Sequence, residues 1–387
     1  MAQRKIPAAF MRGGTSKAIV FHARDLPEDR GAWDAIFLAA MGSPDPNGRQ
    51  LDGMGGGVSS LSKVCVIAPS ARADADIDYT FAQVLVREAR VDYSGNCGNM
   101  SSAVGPFAID EGLVRATDGE ATVRIYNTNT KKIIHSSFAV EDGRARVAGE
   151  LAIPGVAGTG APVRLDFLDP GGASSGKLLP TGRAAEVLEV PGVGAVEVSM
   201  VDAANACVFV AAASLGLAGT EMPDALDRDA ALLAKLAAIR LRASVAMGIG
   251  RTLDEARAKT SVPYVGFVAA PQDAGSLSGD RVAADEVDLT VRMISNGQPH
   301  RALPLTASLC TAVAARIEGS VVQRHTRAAA EIGGDARLRL AMPSGVLTVG
   351  AEVARRDGAW IAMRGSFYRT ARRLFDGCVY YVPARGA

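Results

Sequence analysis

The chain has 387 residues, enough for two domains, with 48% hydrophobic residues, 21% charged residues and a formal net charge of +1. That balance argues against nucleic acid or an anionic membrane as the main partner. No apolar run is long enough to cross a bilayer.

Five cysteines, Cys65, Cys97, Cys207, Cys310 and Cys378, are widely spaced and form no CxxC pair. An odd set of that kind suits reduced thiols in a cytoplasm. The first residues, Met1 to Ile6, lack the apolar core of a secretion signal, so a cytoplasmic protein is expected. The histidines His22, His135, His300 and His325 show no ligand spacing with each other or with cysteine, and no metal site is expected.

Strands are predicted at 8–11 and 18–22, around the polar turn Arg12-Gly13-Gly14-Thr15-Ser16-Lys17. Trp33, Ile36, Phe37, Ala40 and Met41 have helical spacing, with Gly42 as the stop. A glycine-rich stretch, Gly53 to Gly57, then leads through Ser62-Lys63 into a short buried strand at 64–67. Residues 77–86 alternate as a half-exposed strand does. A second glycine-rich segment, Ser94-Gly95-Asn96-Cys97-Gly98-Asn99, turns into an amphipathic helix at 100–113 that Gly105-Pro106 is placed to kink. Strands follow at 121–126, 133–140 and 163–167, then a loop at 169–176 and a strand at 195–200.

A similar plan restarts after Met200. Strands are predicted at 207–212, 262–269 and 289–294, with a helical stripe of Leu232, Leu236, Ile239, Ala243 and Met247 between them. Thr306 reads as the N-cap of a helix running to Ile317, with Cys310 in its first turns. Strands at 321–323, 338–342, 346–353 and 360–365 form the tail. The restart implies a structural duplication dividing near residues 185–195, as 1–190 and 191–387, with the last strand, 378–382, free to return to the first domain.

Two places carry chemistry. Cys97 stands where a strand end turns into a helix, and the backbone amides of Gly98, Asn99 and Met100 are then the free donors of the first turn. The positive end of a helix dipole favours anions there, thiolates included. Lys63 leads the apolar run Val64-Cys65-Val66-Ile67, so it starts a buried strand. Arg12, Thr15 and Ser16, polar residues beside two glycines, suit a carboxylate clamp. Cys65, Cys207 and Cys378 sit in or beside apolar runs and read as core.

Together these segments resemble the PrpF family, the aconitate and methylaconitate isomerase-like relatives of diaminopimelate epimerase. The matching residues are Met11 to Lys17, Asp52 to Gly56, Ser62-Lys63 and Gly95 to Asn99, with Asp202, Asn205 and His300 later in the chain. The resemblance implies an α+β fold of two similar domains, each a curved, barrel-like antiparallel sheet wrapped around a central helix. It implies no cofactor and no metal, Lys63 and Cys97 as the acid/base pair, and Asn205 and His300 as substrate contacts. It further implies proton transfer on an unsaturated di- or tricarboxylate such as 2-methylaconitate or 4-oxalomesaconate. The partner expected is thus a small anionic carboxylate, and a homodimer is compatible with it. Two positions depart from the family pattern: Asn205 lies in Ala203-Ala204-Asn205-Ala206 where relatives often have Gly-Asn-Pro, and Tyr264 stands where relatives often carry lysine.

Two other functions stay open at this point. An amino-acid epimerase or racemase of the same fold needs proton donors on opposite faces of one carbon, hence Cys97 with Cys310. A non-catalytic carboxylate-binding protein needs no reactive thiol.

Overall fold

The computed structural model describes residues 2–93, 96–259, 262–295, 297–327 and 337–382. Ser94 and Gly95 of the second glycine-rich segment, and Ser261, lie outside them. The chain divides into two compact units, residues 1–166 with 368–387, and residues 167–367.

In the first unit, β1 (Arg4–Gly13) and β2 (Ser16–His22) form an antiparallel hairpin in which Gly13 pairs with Ser16. The chain then crosses over through α1 (Trp33–Met41) into β3 (Lys63–Pro69). This crossover makes β2 and β3 parallel neighbours, Ile19 beside Val64. β4 (Ile77–Val84) returns antiparallel to β3. A second crossover, through α2 (Gly98–Asp110), sets β5 (Gly119–Asn127) parallel to β4, and β6 (Lys132–Glu141) closes antiparallel to β5.

The two helices serve opposite faces of this sheet. Trp33, Ile36, Phe37, Ala40 and Met41 of α1 pack with Ile19, Phe21, Val64 and Val66. α2 is the central helix. Its residues Met100 to Ile109 are all buried, and it packs against β1, β2, β3, β5 and β6. Leading apolar positions on one face cannot explain burial on every side; a helix apolar or small-residued all round must be enclosed, and this one is. It continues through Pro106 without a break.

The second unit repeats the order. β7 (Gly194–Ala203) and β8 (Asn205–Ala211) form the hairpin, and α3 (Ala230–Ala246) crosses to β9 (Tyr264–Ala269), parallel to β8. β10 (Leu289–Ser295) lies antiparallel to β9. α4 (Leu305–Ala314) is the second central helix, buried from Ala307 to Ala314, and leads to β11 (Arg337–Met342), parallel to β10. β12 (Gly345–Arg356) follows antiparallel. α3 covers the outer face, with Leu236, Ile239 and Ala243 against Val208, Val210 and Phe267. Each unit is therefore a mostly antiparallel sheet around one helix, with a parallel pairing at each of its two crossovers.

Three expectations need adjustment. The break falls after Asp166, not near 190, because the strand Glu186–Val190 pairs with β7 and belongs to the second sheet. Residues 321–323 are the start of a short helix, Val321–His325, because the Ser320 hydroxyl accepts from Gln323 N at 2.9 Å and caps it. α4 begins at Leu305 with Pro304 as N-cap, so Thr306 lies inside it, and it ends at Ala314. The C-terminal strand, Ala371–Tyr381, pairs antiparallel with β1, from Ala371 beside Gly13 to Tyr381 beside Arg4.

Candidate active site

Cys97 is the N-cap residue of α2, in extended conformation (φ −110°, ψ 99°) and half-buried. The first helical bond runs from Ser101 N to Cys97 O at 2.8 Å. The amides of Gly98, Asn99 and Met100 precede it, as the geometry of a helix start requires. The Met100 side chain itself is in the core. Asn96 is fixed from two sides: its Oδ1 accepts from Ser101 Oγ at 3.1 Å and from Asn127 Nδ2 at 3.3 Å.

The β1–β2 turn packs on this helix start. Gly14 has φ +52°, and a Cβ there would lie 2.2 Å from Asn99 Oδ1. Only glycine fits both the conformation and the space. Thr15 Oγ1 accepts from Asn99 Nδ2 at 3.0 Å. Ser16 is buried and shares the sheet face of Gly13, whose Cα sits against Asn99 and Ala103. Thr15, Ser16, Asn99 and Cys97 are thus gathered at one end of α2.

Arg12 joins this turn through its guanidinium, from the other face of the sheet. It pairs in register with Lys17 on the face that carries Phe10 and Ile19, away from α2. Its Nη1 donates to Gly14 O at 3.0 Å and Thr370 O at 2.9 Å, so its guanidinium braces the turn. Burial, and then the neighbouring Arg372, hold it below the usual arginine range.

Lys63 is the first residue of β3 and is 7% exposed. Its ammonium donates to Gln83 Oε1, its register partner on β4, and lies 5.0 Å from the centre of the Phe81 ring. Gln83 is itself aimed by donating from Nε2 to Ser62 O at 2.8 Å and Ser59 O at 3.0 Å. The adjacent glycine-rich stretch has a packing role: a Cβ on Gly53 would lie 2.3 Å from Met41 C, and one on Gly55 would lie 2.2 Å from Oε1 of the buried Gln50. Gln50 Nε2 in turn donates to Ser62 Oγ at 2.7 Å, which steadies the residue before Lys63.

Cys65 follows Lys63 by two residues in β3. That thiol is fully buried and lies 3.8 Å from Tyr79 Oη. Burial first, and then the nearby Cys97, push its pKa far up, while Tyr79 and Lys63 pull it down.

In the second unit, Asn205 is half-buried and pairs with Ala203 across Ala204, which takes φ +59°. Tyr264, half-buried, is the first residue of β9, as Lys63 is of β3. Its hydroxyl bonds to Ser295, and Ser295 Oγ lies 2.6 Å from His300 Nε2. Burial lowers the His300 pKa, and burial followed by Cys207 raises that of Tyr264, so this cluster is uncharged at neutral pH. Cys310 is the sixth residue of α4, has no exposed surface and donates to Val201 O at 3.3 Å. The position that answers to Cys97, the N-cap of the central helix, is held here by Pro304. Cys310 thus lies in the first turns of its helix, as predicted, and it is core. Cys65 and Cys207 are core as expected, but Cys378 is exposed on the C-terminal strand.

Sequence reasoning passed over Gln83 and Arg369. Arg369 is 7% exposed, and its Nε donates to Asn99 Oδ1 at 3.0 Å. Nothing in Tyr368-Arg369-Thr370 marks it, since it reaches Asn99 only through the return of the chain end. Among the described residues no cluster of three His, Cys, Asp or Glu side chains forms a metal-binding group, and no helix is long and apolar enough to cross a membrane.

The family described as PrpF protein matches residues 3–383. This chain belongs to the PrpF family, and it is an isomerase. The 3-methylitaconate isomerase of Eubacterium barkeri is 43% identical over 385 residues, covering 99% of both chains. The 2-methyl-aconitate isomerase of Shewanella oneidensis is 40% identical, covering 97% of both. The 4-oxalomesaconate tautomerase of Pseudomonas putida is 40% identical, covering 98% of this PrpF chain and 97% of the relative. The crystal structure of a methylitaconate-delta-isomerase superposes with a TM-score of 0.90 at 42% identity, covering 98% of this chain and 96% of that one. The PrpF fold, with one buried helix inside each of two sheets, is therefore that of the present chain.

Proposed function

We propose that this PrpF protein moves a proton within an unsaturated di- or tricarboxylate, by a 1,3-allylic shift or a cis–trans isomerisation, with Lys63 and Cys97 as the acid/base pair. A C–H bond alpha or gamma to a carboxylate on an alkene breaks, and its proton passes to one of the two groups. The electron pair spreads through the double bond onto the carboxylate as a dienolate. The other group delivers a proton at the far allylic carbon, and the double bond has moved. For cis–trans isomerisation the same dienolate rotates before the proton returns. Donors at the start of α2, the amides of Gly98, Asn99 and Met100, stabilise the developing charge.

The observation that carries this reading is that one unit holds two different protonating groups, the buried Lys63 at the start of β3 and the half-buried Cys97 capping α2, a helix that packs on β3. The second unit repeats no such thiol at its own central helix, where Pro304 is the N-cap and Cys310 is enclosed. Two unlike groups suit a proton that leaves one carbon and arrives at another.

The relatives act, by their names, on methylitaconate, methylaconitate and oxalomesaconate, and their identities to this chain are too close to choose among them. A panel of such acids, followed by ultraviolet absorbance in ordinary and heavy water, tests the proposal. An absorbance change with deuterium at an allylic carbon is expected for at least one acid. No turnover of any of them, with a saturated amino acid racemised instead, overturns it.

A further inference from the structure

Arg369 is a buried cation packed against the start of α2, and it sits outside every motif that points to the site. It ends the strand Ala359–Arg369, immediately before Thr370, whose carbonyl accepts from Gly14 N at 2.9 Å and from Arg12 Nη1. Its Nε donates to Asn99 Oδ1, and Asn99 Nδ2 donates onward to Thr15 Oγ1. Its Cδ lies 2.9 Å from where a Cβ on Gly14 would stand. The guanidinium is thus wedged between the hairpin turn and the second residue of the helix that Cys97 caps.

We propose that Arg369 is a positioning residue for the isomerisation, fixing the Asn99 side chain between itself and Thr15 and keeping a desolvated positive charge at the helix start that Cys97 caps. This rests on the reading of Cys97 as an acid/base group. Burial lowers the Arg369 guanidinium to about 10, and Cys97 is the neighbour that draws it back up, so the two groups are within electrostatic reach. At neutral pH the guanidinium stays charged. A desolvated cation at a helix end that already favours anions stabilises a thiolate or a substrate anion there far more than an exposed one does. The Asn99 bridge has a separate effect: it holds one face of the helix start rigid, so that the amides keep their aim.

Three variants separate charge from hydrogen bonding. Arg369→Gln keeps a donor and removes the charge, Arg369→Lys keeps the charge and loses the fork, and Cys97→Ser controls for the underlying reading. Alkylation of Cys97 by iodoacetamide at pH 7 is the readout, located by peptide mass mapping, with thermal midpoint and kcat recorded beside it. For Arg369→Gln the rate of alkylation is expected to fall roughly five- to tenfold, the order one nearby unit charge supplies, with kcat falling by more than KM rises. For Arg369→Lys it stays within about twofold of the parent, as a retained charge requires. Wild-type alkylation in a folded Arg369→Gln overturns the proposal. If Arg369→Gln does not fold, Arg369→Lys decides alone, since a loss of roughly tenfold there, at an unchanged thermal midpoint, shows that charge at this helix start is not what matters. Full activity in Cys97→Ser removes the reading of Cys97 itself, whichever way the arginine variants behave.

Discussion

Lys63 owes its setting to a residue that no motif announces. Gln83 faces it across the strand pair and is itself pinned by two carbonyls, so the ammonium has a neutral acceptor and an aromatic face for company. Replacing Gln83 with Leu leaves a buried ammonium without that acceptor. The expected cost is about 1–3 kcal/mol of stability, read by denaturant unfolding, together with a fall in kcat. Unchanged stability and rate in Gln83→Leu contradict this account of Lys63. At Cys310 the expectation is the opposite. With no exposed surface and a bond to Val201 O, it is part of the packing. Cys310→Ala should keep kcat within about threefold while losing about 1–2 kcal/mol, the scale of a small buried truncation. A loss of activity matching that of Cys97→Ser, in a folded protein, would restore the two-thiol reading. His300 gives a pH test. Burial holds its pKa below the ordinary 6.5. As pH falls through that ordinary value the unfolded chain takes up the proton first, so stability is lost on the acid side. The thermal midpoint of the parent should therefore drop more than that of His300→Gln between pH 7.5 and pH 5.5, the range that roughly brackets an unperturbed histidine. Parallel pH profiles of the two proteins contradict it.

At the scale of elements, the residues that stand out in the sequence are those with local causes. The hairpin at Gly13-Gly14, the apolar spacing of α1 and the turn into α2 at Cys97 all follow from neighbours within a few positions. The parallel pairings do not, because a strand's periodicity says which face is buried and nothing of which strand lies beside it. That is why the matching of Lys63 with Tyr264, and of Cys97 with Pro304, emerges only when the two crossovers of each unit are laid side by side. It is also why Arg12 reads as a clamp in sequence yet braces the turn, and why Arg369 is invisible. The short helix after Ser320 was hidden by its β-branched pair Val321-Val322, which its serine cap outweighs. The turn itself is open to test. Gly14→Ala puts a Cβ at positive φ and into Asn99, and should cost about 1–3 kcal/mol and disturb the helix start. A variant with wild-type stability and kcat would mean that the turn and helix are not locked together as described.

Over the whole chain, the fold class and the duplication were legible, because both halves repeat a hairpin, an outer helix, two strands and a central helix. The boundary was not, since no strand was predicted at Glu186–Val190, and its pairing with β7 places it in the second sheet. The C-terminal strand binds the first unit along the length of β1. A chain ending at Thr370 should consequently fail to unfold cooperatively, or accumulate as insoluble protein; a soluble truncated chain with the parent's thermal midpoint contradicts that dependence.

The central claim is that one unit supplies two unlike protonating groups to an unsaturated carboxylate. Turnover in heavy water, followed by proton NMR on the parent, Lys63→Ala and Cys97→Ser, tests it most directly. The account predicts deuterium at the allylic carbon of the product with the parent, and rates lower by at least roughly a hundredfold in both variants, the scale of losing one general acid or base. Full activity in both variants, or exchange confined to the alpha carbon of a saturated amino acid, would contradict it.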